Sequence, residues 1–197
     1  MQAEEIKIDC QNNLDKAMPI KRQAEEALNT IKRSEINEIS SLKHPPEPIR
    51  FVLHAVCVMC SRPVERAPKK DNPKVFVDDW WVTAQKFMNE KDFFQQLKEY
   101  DKDNIDPAVM HKVKNEFLDN AEFKPQRIAA ASKAAKGLCE WIIRLQQYDK
   151  IVQEIKPKRI ALDNAQIQYK NKMKELAAKQ EDLKAVEMQY QQLQHRL

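Results

Sequence analysis

The chain has 197 residues, with 34 Lys and Arg against 30 Asp and Glu, giving a net charge of +4. That excess is too small to demand nucleic acid by itself. Charged residues make up 32% and aromatics only 7%, a composition lean for one globule and suited to long helices or coiled coil. A single glycine, Gly137, excludes glycine-rich phosphate loops and Rossmann turns, which need several. Four cysteines with no signal peptide point to reduced thiols in the cytosol. No apolar run approaches the ~20 residues that span a bilayer, so no membrane partner is expected, and the modest charge leaves no nucleic-acid partner expected either.

Residues 1–42 carry a heptad stripe of Ala3, Cys10, Ala17, Ala24 and Ile31. Its companion positions are split between Ile6, Ile20 and Ala27 on one side and Leu14 and Leu28 on the other, so the helix offers two partly competent seams. Pro19 sits inside this segment, where it should kink the helix and remove one hydrogen bond. His44-Pro45-Pro46-Glu47-Pro48 then stops one helix and starts another. The new helix has an apolar face at Ile49, Val52, Leu53, Val56, Cys57 and Cys60, which leaves Arg50 and His54 on the solvent side. Cys57 and Cys60 form a C-x-x-C, but with no second pair at zinc-finger spacing they read as core.

Residues 61–79 hold Pro63, Pro68 and Pro73 among Arg62, Arg66, Lys69, Lys70 and Lys74, and predict an extended flap. Asp78 or Asp79 can cap a helix with Trp80, Ala84, Phe87 and Met88 on its apolar face. A short element around Phe93 and Leu97 follows, and Asp106-Pro107 opens a helix through Phe117. Lys124-Pro125 opens the next, with Ile128, Ala131, Ala135, Leu138, Ile142 and Leu145 three or four apart, continuing unbroken as one rod. Trp80, Trp81 and Trp141 are expected to pack the head.

The last segment, 148–197, has a regular stripe of Tyr148, Ile155, Leu162, Tyr169, Leu176, Leu183, Tyr190 and Leu197 with a wandering partner seam, and its own interior proline, Pro157. The fold expected is all-α: an intramolecular antiparallel two-stranded coiled coil (1–42 with 148–197) carrying a small helical-bundle head (43–147) with an extended flap. Both stripes would be buried against each other along their length, bringing the two chain ends together in a monomer. Two competing seams suggest strands that slide by half a heptad, ~5 Å at 1.5 Å per residue.

Several of these stretches resemble the stalk and tip of dynein heavy chains. Ala17-Met18-Pro19 with Ala24, Ala27-Leu28, Ile31 and Ile39, ending Leu42-Lys43-His44-Pro45-Pro46-Glu47-Pro48-Ile49-Arg50, is similar to the first stalk strand and its proline turn into the tip. Ala131 through Trp141 resembles the last tip helix, and Tyr148 through Arg159 the start of the second strand. Glu99-Tyr100-Asp101-Lys102-Asp103-Asn104-Ile105 and the long insert at 61–79 resemble axonemal forms. The resemblance covers essentially the whole chain.

It implies a microtubule-binding module with no catalytic site or cofactor of its own, ATP and Mg belonging to the parent motor, working on the cytoskeleton of the cytoplasm and in a ciliary or flagellar axoneme. It also implies tubulin contacts at Lys43, Arg50 and His54, then at Lys133, Lys136 and Arg144, with Glu140 interrupting the second set. Further flap contacts would come from Arg66, Lys69, Lys70 and Lys74. Basic side chains suit an acidic filament because they steer encounter and fix register. An RNA-binding coiled-coil arm of an enzyme and a structural scaffold are the competing classes.

Overall fold

A computed structural model describes residues 2–196 of the chain. Helix α1 runs Gln2–Asn29, α2 Arg33–Ser40, α3 Glu47–Met59, α4 Trp80–Met88, α5 Phe93–Lys98, α6 Pro107–Val113, α7 Pro125–Ala129 and α8 Lys133–His195, with strands β1 at Glu65–Pro68 and β2 at Phe76–Asp79. The chain forms two compact units, Leu14–Val152 and a second made of the residues before and after it. The first unit thus takes in parts of both stretches expected as stalk strands.

Within Leu14–Val152 the core is one cluster built on Trp141, Phe87, Phe93, Phe117, Phe123 and Ile128, each no more than 2% exposed. Burial of such side chains is worth roughly 1.5–3 kcal/mol each, which is what holds several helices too short to persist alone. The end of α1 packs antiparallel on the start of α8. Ala17 meets Tyr148 and Val152, and further along α1 the Ala27–Ile31 turn meets Gly137. Alanine at 17 and 24, both fully buried, keeps the two backbones close.

The punctuation expected from the sequence is present. Pro48 lies in the first turn of α3. Asp79, rather than Asp78, caps α4 by accepting from the amides of Trp81 and Val82. Asp106 caps α6 by accepting from Ala108 N at 2.9 Å, and the last turn of that helix widens into a π-turn at Lys114–Leu118. Pro19 and Pro157 lie inside unbroken helices.

Two expectations about the helices are corrected. The first strand is not one helix to residue 42. Thr30 Oγ1 donates to Ala27 O at 2.7 Å and Lys32 is extended, so α1 ends and α2 begins anew. The rod from 125 onward is likewise broken, because Ser132 caps α8 by accepting from Ala135 N at 3.1 Å, and this leaves Ala131 exposed. The flap is extended as expected, and takes the form of a two-stranded antiparallel ribbon with Glu65 opposite Asp79 and Pro68 opposite Phe76. Glu65 N donates to Thr83 Oγ1 at 2.7 Å, which anchors the ribbon to α4.

The long stripe is also only half realised. In the second unit Cys10 and Ile155 are buried and Lys158 pairs with Asp9. That pairing puts the start of α1 level with about residue 165, while α8 runs on to His195. Tyr169, Leu176, Leu183 and Tyr190 are therefore exposed, at 66%, 49%, 58% and 62%, and Ala3 is exposed as well. The expected meeting of the two ends is not what the pairing gives; Leu197 lies outside the described residues.

Candidate binding surface

Helix α3 enters the head through the Pro45-Pro46 turn, and its first turn sets the surface. Ile49 is buried at 3%, which turns its neighbour Arg50 outward, exposed and with no ion pair among the described residues. Arg50 borders a cavity of about 410 Å³ together with Glu47, Phe51, His54, Asp78 and Trp80. Lys43, on the approach to the turn, is exposed.

His54 departs from the expected solvent-facing position. It is half-buried, stacked on Trp80 with centroids 4.5 Å apart and edge-on to Phe117 at 4.9 Å, and its Nε2 is buried. Helix α3 is covered on nearly all sides, because the flap ribbon feeds α4 back across it. Burial, helped by nearby Lys112, lowers the His54 pKa from 6.5 to about 4. The folded chain therefore keeps His54 neutral where the unfolded chain already binds a proton. We expect stability present above pH 6.5 to fall as the pH drops from about 6.5 to about 4. Urea midpoints of wild type and His54→Phe, taken at pH 7 and pH 5, check this. The wild type should lose more on acidification.

On α8, Lys133 is exposed and lines a cleft of about 340 Å³ with Glu35, Glu38, Ile39 and Ile49. The start of α3 and the start of α8 thus share one cleft. Lys136 is half-buried and lies 3.8 Å from Glu140, so the carboxylate foreseen as an interruption partly neutralises it. Arg144, also half-buried, donates to Gln147 Oε1 at 2.9 Å.

The flap cations are exposed but not equivalent. Arg66 is turned onto its own ribbon, donating to Phe76 O at 2.8 Å with Asp78 at 3.9 Å. Lys70 reaches His44 Nδ1 at 3.3 Å, beside Lys43, so the ribbon tip is carried to the α2–α3 turn. Lys69 and Lys74 flank it, Lys69 N closing the ribbon onto Val75 O at 2.7 Å. Arg62 is internal instead, forming two bonds to Glu90 at 2.7 and 2.8 Å with its guanidinium 4.1 Å above the Phe87 ring. Burial pushes the Cys57 and Cys60 thiols up to about 12, as befits packed side chains.

One basic residue was missed. Arg127 of α7 lines a cavity of about 280 Å³ with Glu47, Pro48 and Phe51, next to the first turn of α3, and pairs with Glu122. A separate short α7 is needed to bring it there.

A helical head on two antiparallel helices, with cations gathered around the first turns of α3 and α8, defines the class to which comparison points. The family model for the microtubule-binding stalk of the dynein motor matches residues 1–197. The chain is 33% identical, over 93% of its length, to dynein axonemal heavy chain 3 of Homo sapiens, and 36% identical, over 82%, to the ciliary dynein beta chain of Tripneustes gratilla. It spans only 4% and 3% of those two proteins. A solved structure, the microtubule binding domain of dynein-c, superposes with a TM-score of 0.65 and 38% identity, covering 76% of this chain and 95% of that one. The chain belongs to the dynein microtubule-binding stalk family.

Proposed function

We propose that this chain grips the tubulin lattice through cations at the head's far end, Lys43 and Arg50 with Lys133, assisted by Lys136, Arg144 and the flap residues Lys69, Lys70 and Lys74. The observation that carries the reading is Arg50, exposed and without an ion pair among the described residues, at the start of a helix whose other faces are buried. The contact is with α/β-tubulin in a ciliary or flagellar axoneme, and catalysis with ATP and Mg resides in a ring beyond this stretch. The competing seams on α1 and α8 make strand register the setting for affinity: a slide of half a heptad, ~5 Å, biases the head between weak and strong grip.

Two cysteine pairs test this. Ala17→Cys with Tyr148→Cys locks the present pairing, in which Ala17 lies between Tyr148 and Val152, and Ala17→Cys with Leu145→Cys, one turn further along the buried face of α8, locks a displaced one. Pelleting of the chain as a monomer with microtubules should give two affinities that both weaken as salt rises, with no competition from tRNA. Equal affinities would remove the register reading; salt-insensitive pelleting would remove the cationic grip.

A further inference from the structure

The loop between α5 and α6 contains the Tyr100–Ile105 stretch, which the tubulin surface does not use. It lies where α1 and α8 enter the head, and it touches both. Lys102 is only 6% exposed, and its Nζ lies 3.1 Å from Glu25 Oε1 on α1. The next residue, Asp103, accepts a hydrogen bond from the Tyr148 hydroxyl on α8. The loop itself is firmly seated. Asn104 Nδ2 donates to both oxygens of Asp101 at 3.3 and 3.0 Å, and Ile105 is buried at 4%. Tyr100 donates to Met59 O at 2.8 Å, with its ring edge-on to Trp141.

We infer that this loop is a register clamp, in which Lys102 and Asp103 act as positioning residues that hold α1 and α8 in one axial pairing. A buried ammonium is costly unless a carboxylate faces it. Along α1 the residues one turn before Glu25 are Lys21 and Arg22, and those one turn after are Leu28 and Asn29. A half-heptad slide in one direction therefore brings a cation against Lys102, and in the other it brings no charge. Asp103 meanwhile keeps the loop fixed to α8, so it cannot follow α1. Lys102 thus reads the register by charge, and only the present pairing satisfies it. The inference rests on the sliding strands proposed above and names the group that selects among their positions.

The test uses spin labels at Met18→Cys on α1 and Ala130→Cys in the head, both exposed positions well separated along the helix axis. Lys102→Glu should attract Lys21 and Arg22 and move the label distance by ~5 Å, about half a heptad at 1.5 Å per residue. Lys102→Met should broaden the distribution, while Lys102→Arg should keep the parental distance. Glu25→Lys, at a half-exposed site that the fold tolerates, should displace α1, and combining it with Lys102→Glu should restore the original distance. An unmoved distance in both Lys102→Glu and Glu25→Lys overturns the clamp, and so does failure of the double charge swap to restore it. If the two disulfide locks give equal affinities while Lys102→Glu moves the labels, the clamp stands and the register reading falls. Unequal lock affinities with unmoved labels give the reverse.

Discussion

Replacing Arg50 by alanine should weaken microtubule pelleting about ten-fold at low salt, the scale set by a single well-placed interfacial arginine. The substitution costs the free chain little, because Arg50 is exposed and holds no ion pair among the described residues. Its loss should also flatten the salt dependence, since one cation fewer faces the filament. Lys136→Ala should do much less, because Glu140 already lies 3.8 Å from that ammonium. Pelleting of both variants at two salt concentrations, with thermal melts as folding controls, checks the ranking. An Arg50→Ala chain that binds as the parent does would place the grip elsewhere on the head.

Gly137→Val should destabilise the chain by roughly 1–3 kcal/mol, the cost of forcing extra atoms into a packed contact. A Cβ at this site would lie 2.8 and 3.0 Å from side-chain carbons of Ile31 and 3.1 Å from the carbonyl oxygen of Ala27. Ile31 can turn aside only in part, and the Ala27 carbonyl belongs to the last turn of α1, so the two helices must separate. Urea unfolding followed by far-UV circular dichroism reads this directly, and Gly137→Ala should fall between the valine variant and the parent. Glycine is needed here for close approach rather than for unusual dihedrals, since α8 runs helically through it.

The sequence declared the antiparallel pairing of the strands, the Pro45-Pro46 turn and the Asp106 cap because each rests on local chemistry that nothing in the tertiary structure opposes. The exposure of Arg50 was legible for the same reason, its neighbour Ile49 being strongly apolar. His54 was not. A spacing of four from Arg50 puts it on the right side of an isolated helix, but Trp80 and Phe117 arrive from distant parts of the chain to cover it. The ribbon hid behind its prolines, which suggest irregular backbone although Pro68 ends a short strand, where a missing amide is tolerated. The breaks at Thr30 and Ser132 depended on single hydroxyl groups, too slight a signal against a strong helical periodicity. Nothing in the sequence marks Lys102, because its partner Glu25 lies 77 residues away.

The three residues that separate α1 from α2 give the head a mechanical property. Thr30, Ile31 and Lys32 lie outside both helices, but Thr30 N donates to Glu26 O and Ile31 N to Leu28 O, both at 3.2 Å. Ile31 is buried at 8% against Gly137, so the joint is a seated elbow rather than a loose tether. A displacement of α1 at this point is handed to α2 and to Gly137 of α8 together, as through a crank whose pivot is pinned.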